Sequence, residues 1–131
     1  MVSLSETLSS GDHEHWFYGF ARGALLAMWT DQKLRARWPE RGLLEAMLDL
    51  DREWHEHPVG IPEADFERRF AAHLGFSVAE IFAECVRGEV ALPLEEILAG
   101  AGIRIEGERL RVMADEELSA DVLRFRRAAF E

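Results

Sequence analysis

The sequence predicts a mainly helical, compact multi-helix domain of about six helices with a small C-terminal β-hairpin. Three observations lead there. Apolar residues recur at steps of three and four through residues 12–99, Pro and Gly interrupt them at short intervals, and the apolar period drops to two between Ile103 and Val112. A chain of 131 residues, 48% of them hydrophobic, fits one domain able to bury a sizeable core.

The elements follow in order. Met1–Gly11 is polar, Ser-rich and without sustained period, and reads as a flexible arm or short edge piece, with Asp12 as a helix cap. From His13 to about Arg37, Phe17, Phe20, Ala24, Ala27, Met28 and Leu34 form a helical stripe, and the run Ala24–Trp29 is apolar on nearly every face, as in a central helix. Pro39 ends it. A second stripe of Leu43, Leu44, Met47, Leu48, Leu50 and Trp54 runs to His57-Pro58, and Val59-Gly60 reads as a turn. Pro62 opens a third helix carrying Phe66, Phe70 and Leu74, which Gly75 closes. Ser77 and Glu80 have capping-box spacing for a fourth, with Val78, Ile81, Phe82, Cys85 and Val86 on one face. A short fifth helix from about Leu94 to Ala99 ends at Gly100-Ala101-Gly102. In the hairpin, 103–113, Ile103, Ile105, Leu110 and Val112 alternate with charged residues around Gly107, and their face needs cover from the helices or from a third strand, for which the first eleven residues are a candidate. Residues 115–130 predict a last helix with acids in its first turn and Arg124, Arg126 and Arg127 near its end.

Charge narrows the function classes. With 25 acidic against 15 basic residues and a net charge of -10, the chain repels phosphate backbones and anionic membranes, so neither nucleic acid nor membrane is an expected partner. One cysteine makes no internal disulfide, and the first thirty residues lack the pattern of a secretory signal, so the expected compartment is cytoplasmic.

Candidate chemistry is sparse. His13-Glu14-His15 and His55-Glu56-His57 invite a metal reading, but residues two apart on a helix diverge by about 200°, whereas a helical zinc pair needs histidines one turn apart. Solvated helix ends explain both clusters, and no metal or cofactor is expected. Cys85 lies among apolar neighbours, which suits a buried small hydrophobe better than a nucleophile served by His73. Paired carboxylates such as Glu95 and Glu96 stand where helix N-termini favour negative charge. Of the four tryptophans, which complete a core or rim a groove, Trp38 and Trp54 are expected to be partly exposed because they sit at helix ends.

Three stretches carry a family resemblance. Residues 18–26, Tyr-Gly-Phe-Ala-Arg-Gly-Ala-Leu-Leu, with Asp31 beyond, resemble an aromatic-x-basic-Gly-Ala-Leu helix. Arg41 to Trp54 is similar to a Ser-Leu-Asp-Asp-Leu-Leu-type helix. Residues 82–93, which include Val86, Gly88, Leu92 and Pro93, resemble an aromatic-Val-x-Gly-x-x-x-Leu-Pro turn, followed by Gly100-Ala101-Gly102-Ile103. Together they resemble the C-terminal helical region of glycyl aminopeptidase-type (family sixty-one) gluzincin metallopeptidases, over residues 16 to 106.

The departures shape the expectation. The family holds zinc with His-Glu-x-x-His and a downstream Glu, all N-terminal to the matched helices, and this sequence has no such motif. No catalytic or metal residue carries over. Where the family places an aromatic hydroxyl for the oxyanion, the nearest positions are Gly19, Phe20 and Ala21, and Tyr18 lies one turn before Arg22. The resemblance therefore implies a non-catalytic helical domain that shapes a substrate cleft or packs on a separate catalytic domain. The alternative is a stand-alone module for self-association or a protein partner. In either case Trp16, Tyr18, Phe20 and Arg22 are the candidate cleft or interface residues.

Overall fold

A computed structural model describes residues 13–56, 62–88 and 91–131, with the side chains of residues 13–18, 63 and 64 outside that description. The expected arm, the Asp12 cap, the Val59-Gly60 turn and a third strand from the first eleven residues fall outside it too. Helix α1 spans His13–Arg37, α2 Leu43–His55, α3 Glu63–Leu74, and α4 Ala79–Ile81, which runs on as a π-helical segment, Phe82–Val86. After α5, Leu94–Gly100, come strands β1, Ile103–Glu106, and β2, Arg109–Val112, then a 3-10 turn, Asp115–Glu117, and helix α6, Ala120–Phe130. The described residues are thus mainly helical, with one two-stranded antiparallel hairpin.

At 25 residues, or about 37 Å, α1 is the longest element, and α2, α5 and α6 pack against it. Its C-terminal half makes the corner with α2. Gly42 precedes α2 and has no side chain to receive the helix's unpaired N–H groups, so Asp31 supplies the acceptor from α1. Its Oδ1 takes the Leu43 N–H at 2.5 Å while Oδ2 takes Arg35 Nε–H at 3.0 Å, and Glu45 Oε2 reaches back to the Gly42 N–H at 2.7 Å. A Cβ at position 42 would strike the Arg35 guanidinium and the Asp31 carboxylate, which is why glycine stands there.

The main core lies among α1, α2, α3 and Val78. Leu34, Ala46, Leu50, Phe70, Leu74 and Val78 are buried, and Phe66, Phe70 and Phe82 bring their rings within 5.6 to 6.4 Å of one another. As expected, Gly75 ends α3, in the left-handed conformation at φ 72°, with the Trp38 ring where a side chain would be.

A second apolar group of Ile97, Leu98, Ala101, Met113 and Phe125 joins α5, the hairpin and α6. Gln32 Nε2 on α1 donates to the Ile97 carbonyl at 2.7 Å and ties this group to the long helix. Arg126 holds the crossing together. Its guanidinium donates to the carbonyls of Ala101, Gly102 and Met113 at 3.4, 2.9 and 2.8 Å, and to Asp115 Oδ1 at 3.1 Å.

Some expectations need correcting. The last helix starts at Ala120, not at 115, because Ser119 is extended and its Oγ accepts the Val122 N–H, making a better N-cap than any upstream residue, while Glu117 folds back on the Ala114 N–H. Cys85 is buried as expected, but in a π-helical rather than an α-helical turn. Of the expected α1 stripe, Phe20 and Ala24 are exposed and Leu34 is buried, while the other buried positions among the described residues of α1 are Gly19, Arg22 and Thr30. The hairpin pairs Ile103 with Val112 and Ile105 with Leu110, so all four share a face, yet only the isoleucines are half-covered; Leu110 and Val112 extend past the helices into solvent.

Replacing Asp31 with Ala removes the borrowed cap and is expected to cost about 1–2 kcal/mol in urea unfolding, with Asp31→Asn, which keeps an acceptor, retaining most of that stability. Equal stability of the alanine variant and the parent protein would contradict this reading of the corner.

Candidate docking surface

The sequence stripe on α2 is two faces in the structure. Leu43, Ala46 and Leu50 point to the core. Leu44, Met47, Leu48 and Trp54 lie on the adjoining arc and are 66%, 42%, 46% and 47% exposed. Their spacing places them on one arc of the helix, because residues three, four and seven apart share a face. From Leu44 to Trp54 the row is about 15 Å long. Asp51 sits within it, three residues from both Leu48 and Trp54. Monomers seldom gather large apolar side chains this way without a function, although single exposed ones are ordinary.

A third side of α2 is charged and faces α3. Asp49 accepts from Arg41 Nη2 at 2.8 Å and Arg52 Nη1 at 2.6 Å. One turn on, Glu53 accepts from Arg69 Nη1 at 2.5 Å and lies 2.7 Å from His73 Nε2. The Arg41 hydrogen bond holds the Asp49 carboxyl below its usual range, and the His73 hydrogen bond, reinforced by Arg69, does the same to Glu53. Apart from Arg69 Nε, which is buried without a hydrogen-bond partner among the described residues, these groups are paired with one another. Beside them Trp38, Pro39, Ala72 and Gly75 line an open apolar depression rimmed by Arg41 and His73, both already engaged.

Of the residues singled out from sequence, the described Phe20 and Arg22 stand in different surroundings. Phe20 is 63% exposed, whereas Arg22 is buried and donates through Nη2 to the Cys85 carbonyl at 3.2 Å, tying α1 to the π-helical segment. The side chains of Trp16 and Tyr18 lie outside the described residues. Trp38 and Trp54 are partly exposed, as their positions at helix ends led us to expect. Burial pushes the Cys85 thiol up, so it is a poor nucleophile at neutral pH. Among the described residues no group of three or more His, Cys, Asp or Glu stands together to hold a metal ion. The side chains of His13 and His15, and the whole of His57, are outside them. No described helix is long and apolar enough to cross a membrane.

The outward stripe of α2 escaped sequence reading, although a signal was present. Leu43, Leu44, Met47, Leu48, Leu50 and Trp54 spread over about 160° of the helix circumference, wider than the roughly 100° stripe of one core face. No family model, curated protein or solved structure matches the chain.

Folding lowers the Asp49 and Glu53 carboxyls, so their contribution to stability is complete above the unfolded values, about 4 for such groups, and is lost as pH falls through the lower folded values. Glu53→Gln is therefore expected to be less stable than the parent at pH 7 in denaturant titrations, and the gap should close as pH drops below about 4. A gap that stays constant into acid would show that the carboxylate charge is not what matters.

Proposed function

We propose that this chain is a non-catalytic helical domain that works by docking on another protein. One observation carries the reading: four large apolar side chains, Leu44, Met47, Leu48 and Trp54, project into solvent from a helix that already packs on the core and pairs with α3 through its other sides. The resemblance to glycyl aminopeptidase-type metallopeptidases suggests what kind of partner this is. It implies a helical domain seated against a zinc-bearing catalytic domain, where it shapes the cleft without contributing ligands. Phe20 supports a supporting role, since an exposed phenyl ring at the place where that family carries a hydroxyl has nothing to donate to an oxyanion.

The second reading is a stand-alone module that associates with itself or with an unrelated protein. The α2 face favours it as much as the first, because the face is open in the chain alone.

Two measurements test the proposal. Protein purified without a histidine tag is expected to carry no stoichiometric zinc and to leave glycyl arylamides intact; zinc with turnover would overturn the non-catalytic reading. In titration calorimetry with a glycyl aminopeptidase-type zinc domain stripped of its own helical region, a complex is expected that Leu44→Ser with Leu48→Ser weakens about tenfold or more. Melting of this double variant within a few degrees of the parent protein shows that the fold survives, since both side chains lie on the surface. Binding indifferent to the double substitution would remove α2 as the docking face.

A further inference from the structure

We propose that the outward face of α2 receives a basic amphipathic helix of a partner protein, with a lysine or arginine of that helix opposite Asp51. The inference rests on the docking reading and adds the chemistry of the occupant.

Shape points to a helix. An apolar band about 15 Å long and about 120° wide on a convex helical ridge is matched by three turns of a second helix, packed at about 8–10 Å with Leu, Met or aromatic residues three and four apart.

Charge selects its sign. The exposed charges on α2 beside the row are Glu45, Asp51, Arg52 and Glu56. Arg52 is already turned to Asp49, 2.6 Å away. Glu45 is held ionised by its cap on the Gly42 N–H. Asp51, within the row, has among the described residues a single ion-pair contact, His55 Nδ1 at 3.6 Å, and that nitrogen also lies 2.8 Å from the Asp51 carbonyl. A docked helix that covers Leu48 and Trp54 also covers Asp51. Desolvating that carboxylate is unfavourable without a cation beside it, and the partner's lysine or arginine supplies one. A second copy of this chain does the opposite. It brings another Asp51 into the same contact and another molecule of net charge -10 against the first.

The test uses a synthetic helical peptide of about 18 residues with one leucine face flanked by lysines, and a twin in which every lysine is glutamate. Binding is read by calorimetry at physiological ionic strength and by the emission of Trp54, with Trp54→Phe assigning the signal. The lysine peptide is expected to bind about tenfold or more tightly than its twin, to blue-shift Trp54, and to lose about tenfold on Leu44→Ser with Leu48→Ser. Asp51→Asn is expected to weaken the lysine peptide several-fold and leave the glutamate peptide unchanged or tighter. Lysine-peptide binding that survives the double variant would mean attraction to net charge alone and would overturn the proposal. Equal binding of both peptides, lost in the double variant, would overturn the basic partner yet leave the docking face standing. Binding of neither peptide would count against both. A dimer in sedimentation equilibrium that the double variant dissolves would assign the face to a second copy. A chain lacking residues 1–11 that binds the lysine peptide about tenfold more tightly would assign the face to the protein's own arm instead.

Discussion

The contact on which the arrangement of this fold depends is the carboxylate of Asp31 on the first amide of α2. A helix must satisfy its unpaired N–H groups from somewhere, and a glycine at the cap offers no oxygen. Because the acceptor is borrowed from α1, α2 begins at a fixed point on the long helix and with a fixed rotation about its own axis. That rotation sends Ala46 and Leu50 into the core. It turns Asp49 and Glu53 toward the basic side chains of Arg41, Arg69 and His73. What remains faces water, and four large apolar side chains stand on it among exposed charges.

Three faces of one short helix therefore do three jobs. The core face supplies the non-directional burial that holds α1, α2 and α3 together. The charged face adds direction: Glu53 meets both Arg69 and His73, one turn apart on α3, while Asp49 holds Arg41, which also donates to the His73 carbonyl, and together these contacts favour one sliding register between the helices. Solvent-exposed ion pairs contribute little to stability, but these are half-covered and linked, and they discriminate between alignments that a purely oily contact would tolerate. The third face is free of both duties.

How much of this was legible in the residues depends on whether the signal was local. Pro39 and Gly75 act on their own backbone, and the ends they predict for α1 and α3 are where the structure has them. The hairpin is likewise local, announced by alternation around Gly107. The last helix was placed a few residues early because Asp115, Glu116 and Glu117 have the composition of a first turn, while the competing cap at Ser119 wins by geometry. Long-range features were opaque. Nothing near Arg22 announces that its partner is the Cys85 carbonyl, 63 residues away, and nothing near Arg126 announces three carbonyls in the connections on either side of the hairpin. The docking surface falls between these cases. Its residues were all visible as apolar, but periodicity reports that a side chain avoids polar company without saying whether the neighbour belongs to the same molecule.

The hairpin carries a different hazard. Leu110 and Val112 leave β2 with a greasy, uncovered side, and a strand of this kind invites copies to zip together into extended sheets. Arg109 and Arg111 occupy the opposite side of the same strand. Self-pairing along that border, with strands about 4.8 Å apart, would bring Arg109 side chains of like sign together and crowd the ion pairs of Arg111 with Glu106 and Glu117, which works against an exposed border seeding aggregation.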